Sequence, residues 1–297
     1  MKFNLTLALI AMLTSQAISQ LPQPSLLMQE DAQSLFWEIS GNDLQQPSYI
    51  FGTIHLICQE DMEVGDQVYS KLQQSDLLTL ELDMTDQSQM AQIQQLSMNE
   101  GGHNISADLE DDVVEALNDL LVTSVGINMD QAGMMKPFVI QSMVMMAKLS
   151  DYCEEGSNSY EEYFLERAGE YEIPVEGLET AEFQMSVLNQ ISTEEQLEEL
   201  EKMVTKERYV IDQFEDIFDH YLNEDITGMY ELFQEDELWM QHQEDLLDTR
   251  NQAWIPDMEE LMQEQSVFFA VGAGHLAGEQ GVLQLFEDAG YEVTPVN

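Results

Sequence analysis

Two stretches of this sequence deliver a histidine in the same way. Tyr49-Ile50-Phe51-Gly52-Thr53-Ile54-His55-Leu56 and Phe269-Ala270-Val271-Gly272-Ala273-Gly274-His275-Leu276 each run from an apolar strand to a glycine, pass two residues and reach His-Leu before a helical segment. Gly52 and Gly272 let the backbone turn and another group approach closely. In open α/β sheets ligands bind in the crevice beyond the carboxyl ends of the strands, so both imidazoles are expected at such an edge. A single strand-end histidine is more often a satisfied structural residue. Two from one pattern, in a chain with five His, point to a shared site.

Acidic residues inside apolar strands extend the set. In Leu77–Asp83, alternation puts Leu78, Leu80 and Leu82 on one face and Thr79, Glu81 and Asp83 on the other. An unpaired buried carboxylate is costly, so Glu81 should meet a cation, a metal or a histidine. Glu179 closes a short strand in Gly177-Leu178-Glu179-Thr180, or else stands at a helix N-terminus and is stabilised by its dipole. Arg250, one of three Arg, precedes Asn251. It is expected either to form an ordinary surface ion pair or, more sharply, to anchor a buried carboxylate or steady developing negative charge. His103, His220 and His242 sit in polar surroundings and read as surface residues. No His-Glu-x-x-His, Gly-x-Ser-x-Gly, Walker loop or Cys-x-x-Cys pair occurs.

The elements that must carry these residues come from both ends of the chain. Strands are predicted at 35–39 and 49–51 (a hairpin), 77–83, 173–178, 267–271 and 291–296, with a helix over 278–289. The apolar run Val267-Phe268-Phe269-Ala270-Val271 suits a strand covered on both faces. Helical insertions are expected at about 87–169 and 181–263. Ser192 and Glu195 form a capping box, and Leu197, Leu200, Val204, Ile211, Phe214 and Phe218 form an apolar stripe. The expected fold is mixed α/β (α+β): one domain over 35–297, with a central mixed sheet built from both chain ends. The 19 Met, among them Met143, Met145 and Met146, are expected to pack in the core.

With 297 residues, 44% of them hydrophobic, and 3 Trp, 12 Phe and 10 Tyr, the chain can bury a sizeable core. Its 58 Asp+Glu against 9 Lys+Arg give a formal charge of −49. That surface repels phosphate backbones and anionic headgroups, which argues against nucleic-acid and membrane partners. It should also make stability rise with salt. Runs such as 110–112 and 198–201 read as solvated helix faces rather than cation sinks.

Residues 1–19 read as a secretory signal: Lys2, an apolar stretch from Leu5 to Leu13, then small residues at Ala17 and Ser19. That stretch is too short to anchor in a bilayer roughly 30 Å thick. Residues 20–34 form a leader, and the mature protein is expected to be periplasmic or secreted. In an oxidising compartment Cys58 and Cys153 are expected either as one disulfide or as two buried thiols. Cys58 lies three positions after His55, but no second closely spaced Cys or His supports a metal role for it.

Six motifs in order make the sequence resemble the TraB/GumN family, which includes the animal Tiki proteins. They are Phe-Gly-Thr-Ile-His at 51–55, Glu-Leu-Asp at 81–83, Gly-Leu-Glu-Thr at 177–180, Arg-Asn at 250–251, Val-Gly-Ala-Gly-His-Leu-Ala-Gly-Glu-Gln-Gly-Val at 271–282 and Gly-Tyr-Glu-Val-Thr-Pro-Val at 290–296. The resemblance implies an α/β core distantly related to erythromycin-esterase and ChaN-like proteins. Its Tiki members are metal-dependent peptidases that rely on the two Gly-x-x-His motifs. Together with the signal-like N-terminus, it implies an exported metal-dependent hydrolase acting on a peptide or small-molecule substrate. His55, His275 and Glu81 would ligate manganese, cobalt or zinc, Glu179 or Asp83 would take a proton, and Arg250 would steady an oxyanion. The carboxylate roles are interchangeable at this level. Two alternatives stand beside it: a metal-independent hydrolase with His55 as a base oriented by a carboxylate, and a non-catalytic binder of a peptide, haem or a metal-bearing ligand.

Overall fold

The computed structural model describes residues 33–235 and 237–296, and everything from Gln33 on belongs to one compact unit. The proposed signal and nearly all of the leader lie outside the described residues. The sheet begins with a hairpin, β1 (Phe36–Gly41) and β2 (Ser48–Thr53), whose antiparallel register pairs Trp37 with Ile50. A two-residue strand β3 (Ile57–Cys58) follows, then helix α1 (Asp66–Gln74) and β4 (Leu77–Leu82). Neither β3 nor α1 is among the predicted elements: β3 is too short to show a period, whereas α1 carries an i, i+4 pair, Val68 and Leu72, that is its buried face.

The first helical insertion holds α2 (Gln87–Leu96), α3 (Asp111–Ser124), α4 (Met129–Ala132) and α5 (Pro137–Tyr152). After β5 (Ser157–Asn158), which pairs with β3, comes α6 (Tyr160–Tyr171) and then β6 (Val175–Glu179). The second insertion runs through α7 (Ala181–Leu188), α8 (Thr193–Thr205), α9 (Tyr209–Leu222), α10 (Ile226–Glu235) and α11 (Glu237–Gln243). A π-helical turn at Glu244–Asp248 leads into α12 (Thr249–Glu264). The chain closes with β7 (Val267–Gly272), α13 (Val282–Asp288) and β8 (Tyr291–Pro295).

Six strands form one mixed sheet in the order β6-β4-β7-β2-β1-β8. The four strands β6, β4, β7 and β2 run parallel, while β1 is antiparallel to both β2 and β8. This is the mixed α/β architecture with a sheet drawn from both chain ends. Strand β7 lies between β4 and β2, and Val267, Phe268 and Phe269 are fully buried. Each such side chain contributes about 1.5–3 kcal/mol of transfer free energy, which accounts for its continuous apolar run. Phe164 of α6 packs against Phe51 and Phe268 with ring centroids 5.4 and 5.2 Å apart.

The helices away from the sheet share a second core. Leu117 and Leu121 of α3, Ile140 and Val144 of α5, Leu200 of α8 and Phe214 and Phe218 of α9 are buried together. The single apolar stripe read from Leu197 to Phe218 is therefore split between two helices that fold onto one cluster. The Ser192–Glu195 capping box opens α8. Cys58 and Cys153 form a disulfide tying β3 to the end of α5, which selects one of the two states left open by sequence. The methionines divide: Met129, Met203, Met258 and Met262 are core, whereas Met146 is exposed.

Candidate functional site

The four parallel strands present their carboxyl ends to one region, and the site is built there. Strand β4 contributes Glu81 and β6 contributes Glu179. Strand β7 ends at Gly272 and turns through Ala273–His275, while β2 ends at Thr53, two residues before His55. A side chain at Gly52 would meet Leu276 Cδ1 at 2.7 Å and Ala273 Cα at 3.1 Å, so the two histidine motifs can lie against each other only if this residue lacks one. A side chain at Gly272 would stand 3.1 Å from Glu81 Oε1. The absent side chain instead lets the Gly272 N–H donate to that oxygen at 2.8 Å.

Arg250 lies at the centre of the buried charge. Its Nη2 donates to Glu81 Oε2 at 2.6 Å and to Glu179 Oε1 at 2.6 Å, and its Nε donates to Glu179 Oε2 at 3.0 Å. Its Nη1 donates to the Leu246 carbonyl and to His275 Nε2, both at 3.1 Å. All five guanidinium N–H groups are thereby committed. Of the options read from sequence, Arg250 anchors buried carboxylates, and no donor is left over for an oxyanion in this arrangement.

Asn251 fixes His275. The amide Nδ2 donates to the carbonyls of His275 and Gln280 at 3.3 and 2.8 Å, which turns Oδ1 toward His275 Nδ1 at 2.6 Å. An amide oxygen only accepts, so Nδ1 carries the proton and Nε2 presents its lone pair to Arg250. The protonation state agrees: burial drives His275 down to about 3, keeping it neutral. The Trp254 ring lies beneath it, with centroids 4.4 Å apart, and the Trp254 Nε1–H donates to Glu179.

The carboxylates differ. Burial alone would raise Glu81, but the charges of His275 when protonated, Arg250 and His55, together with the Gly272 N–H, outweigh it and hold the group at about 2. Burial raises Glu179 despite its paired bonds to Arg250. Glu179 clamps Arg250 from behind and does not line the cavity. Asp83 is not brought into the site at all. Its Oδ1 accepts from Thr85 N and Oγ1 at 2.8 and 2.6 Å, because the strand ends at Leu82 and the chain turns.

His55 stands opposite on the rim, its side chain 71% exposed. Glu161, which sequence reasoning missed, accepts from its Nδ1 at 2.9 Å and from Thr53 Oγ1 at 2.7 Å, while Ser159 Oγ donates to the other Glu161 oxygen at 2.7 Å. The bond to Glu161 is the largest influence raising His55 to about 9, ahead of the opposing burial and the charge of Glu81. Only the placement of Glu161 in the first turn of a helix capped by Ser159 marked it in the sequence. The remaining histidines pair elsewhere: His103 with Asp108, His220 with Asp225 and His242 with Glu195. His242 is largely buried rather than a surface residue, since its side chain is only 14% exposed.

His55, His275, Glu81, Arg250 and Gly272 all line one cavity of about 460 Å³. As a metal site the donor chemistry is suitable. It offers a neutral imidazole lone pair, an ionised carboxylate with Oε1 3.8 Å from that nitrogen, and a second imidazole on the same cavity wall. Ligand atoms bound at about 2.1 Å to a shared ion stand roughly 3–4 Å apart, so this spacing suits two neighbours in a coordination shell. Among the described residues, however, no three His, Cys, Asp or Glu side chains are grouped closely enough to hold an ion, and the Arg250 guanidinium occupies the place of the cation.

Comparison with known proteins places the chain among relatives. Metalloprotease TIKI2 of Danio rerio is 21% identical over an alignment covering 94% of this chain and 64% of the relative, so the chain spans less than two thirds of that protein. The TraB/PrgY/gumN family model matches residues 35–295, from the first strand of the sheet to the last. The match takes in both Gly-x-x-His motifs and every residue of the Arg250 cluster, and the chain belongs to the TraB/PrgY/gumN family.

Proposed function

We propose that this protein is an exported hydrolase that cleaves peptide bonds in the cavity at the carboxyl edge of the sheet, with a divalent ion as cofactor. One observation carries the reading: two imidazoles from a repeated motif and a buried ionised carboxylate line the same hollow. Each ring has Nδ1 held by an oxygen acceptor, as the non-ligating nitrogen of a metal-bound histidine is held. His275, Glu81 and His55 would hold manganese, cobalt or zinc only once Arg250 gave up His275 Nε2 and His55 lost its proton and came in from the rim. When bound, such an ion lowers the pKa of a water toward roughly 7 and polarises a carbonyl.

The chain's own groups perform the rest. Asn251 keeps His275 in the tautomer that offers Nε2, and burial keeps that ring neutral. Arg250 keeps Glu81 ionised and correctly turned. Leu246, Leu247 and Met229 give the cavity an apolar wall against which a substrate side chain would pack. Export is supported by the signal-like first 19 residues and the Cys58–Cys153 disulfide, which suits an oxidising compartment. Among the described residues no helix is long and apolar enough to cross a membrane.

A second reading is favoured by the His55–Glu161 bond of 2.9 Å. A carboxylate-oriented imidazole facing a cavity can transfer protons without a metal. With its pKa raised to about 9, His55 is mostly protonated at neutral pH and would give a proton to the leaving amine rather than take one from water.

Metal quantification of the purified mature protein, followed by peptide-library cleavage with and without chelator, tests both readings. The expected result is bound divalent metal, cleavage abolished by chelator, and loss of metal in His55→Ala and His275→Ala with the circular-dichroism spectrum unchanged. Cleavage that persists in metal-free protein would transfer the case to the His55–Glu161 pair. Tight capture of a peptide with neither metal nor cleavage would make this a binding protein.

A further inference from the structure

His55 is held differently from the rest of the site. Glu81, Glu179, His275 and Arg250 belong to β4, β6, the turn after β7 and α12, and Arg250 bonds to the other three. Glu161 rides on α6, which packs Phe164 against Phe51 and Phe268 of the sheet. His55 instead lies beyond the end of β2, in the stretch 54–56 that leaves the main sheet for β3. Strand β3 pairs with β5 in a separate two-stranded sheet, Ile57 opposite Asn158 and Cys58 opposite Ser157. The Gln59 N–H donates to the Gly156 carbonyl at 2.8 Å, and the Glu60 carboxylate accepts from the Glu154 and Glu155 N–H groups at 2.8 and 3.3 Å. The Cys58–Cys153 disulfide crosses the same junction and spans 95 positions.

These ties are unequal. A pair of two-residue strands is marginal by itself in water. Gln59, Glu60, Glu154 and Glu155 are exposed, so water competes for their hydrogen bonds. The disulfide is buried, and Ile54 and Leu56, on either side of His55, pack against the helical cluster that contains both cysteines. A cross-link of this span removes the freedom of the two segments to drift apart. We propose that the disulfide is a positioning element of the site, holding His55 on the cavity rim against Glu161, so that this half of the site assembles only in the oxidised protein. Its formation is a thiol–disulfide exchange. The Cys58 and Cys153 thiols give up two protons and two electrons and join through one S–S bond, while the S–S bond of a disulfide-bearing oxidant breaks to two thiols. Resting on the hydrolase reading, the chain is idle in a reducing compartment and becomes competent in an oxidising one.

Three forms of the full chain test this: the oxidised protein, the same protein reduced with a phosphine, and Cys58→Ala combined with Cys153→Ala. Hydrogen exchange read by mass spectrometry should speed up over 54–62 in both disulfide-free forms and stay unchanged in β4 and β7. The His55 ring Cε1–H resonance, assigned with His55→Gln, should move to the position of an unfolded histidine while that of His275 stays in place. Manganese affinity by isothermal titration should fall roughly 10–100-fold. Reoxidation of the reduced protein with oxidised glutathione should restore all three. An unmoved His55 resonance with unchanged exchange over 54–62 would overturn the inference, and so would loss of protection in β4 and β7 in both disulfide-free forms, since the disulfide would then support the whole fold. A His55 that moves on reduction in a protein that takes up no metal when oxidised would remove the metal reading and leave the positioning role standing. Equal metal uptake in all three forms with His55 unmoved would do the reverse.

Discussion

Arg250 and Glu81 are 169 positions apart in sequence, yet Nη2 of one lies 2.6 Å from Oε2 of the other, with both side chains about nine-tenths buried. This pair joins the last helix of the second insertion to an inner strand of the sheet. The carboxylate of Glu179 completes it from β6, so a single cation balances two buried anions. The stability of the site region and the ionisation of Glu81 both follow from that balance.

Removing the cation is therefore expected to be severe. Arg250→Met leaves two buried carboxylates facing each other, and breaking a buried pair from one side costs about 3–5 kcal/mol. Urea unfolding should show that loss, and Arg250→Met combined with Glu179→Gln should recover part of it. A loss below roughly 1 kcal/mol, the range of an exposed pair, would mean that water reaches the cluster.

Gly272→Ala is a subtler probe. Its φ of −52° suits any residue, so the substitution carries no backbone strain. The new methyl would press on Glu81 Oε1 at 3.1 Å and lie 3.6 Å from the His275 ring. We expect thermal stability to change little while divalent-metal affinity falls roughly 10–100-fold, as when the support of a ligand is disturbed. Unchanged affinity by isothermal titration would detach Gly272 from the site.

The His55–Glu161 contact can be read in solution. Since that bond is the first cause of the raised His55 pKa, Glu161→Ala should lower the value from about 9 toward the ordinary histidine range. Carbon-13-edited NMR of the ring Cε1–H follows the titration directly. A titration that stays in place would assign the shift to Glu81 instead.

The pH dependence of stability has two arms. His275 titrates near 3 in the folded protein and near 6.5 when unfolded, so between those values the unfolded chain binds more protons and stability falls as pH drops. Glu81, held at about 2, adds to the acid arm below its ordinary 4.5. His55 runs the other way: its contribution is complete below 6.5 and is lost as pH rises through about 9, weakly because the ring is largely exposed. Relative to His275→Gln, the wild-type protein should lose stability more steeply on acidification. Parallel curves would show that His275 does not resist protonation.

The sequence by itself determined the elements whose signals are local. The apolar run at 267–271, the alternation at 77–82 and the Gly-x-x-His repeats each depend on neighbours within a few positions, and each reappears as a strand or strand end at the sheet's carboxyl edge. The same locality made Glu81, His275, Arg250 and Asn251 visible as residues out of keeping with their surroundings. The tertiary structure alone decided which of them meet. Asp83 shares a strand face with Glu81 by alternation, but the strand stops one residue earlier and Asp83 turns to Thr85. Glu161, on a polar helix face like dozens of other acids in this chain, gains its role only because α6 carries it to His55 across 106 positions. Periodicity records which side of an element a residue occupies, and contact between elements far apart in the chain is set by packing, which no short window of sequence contains.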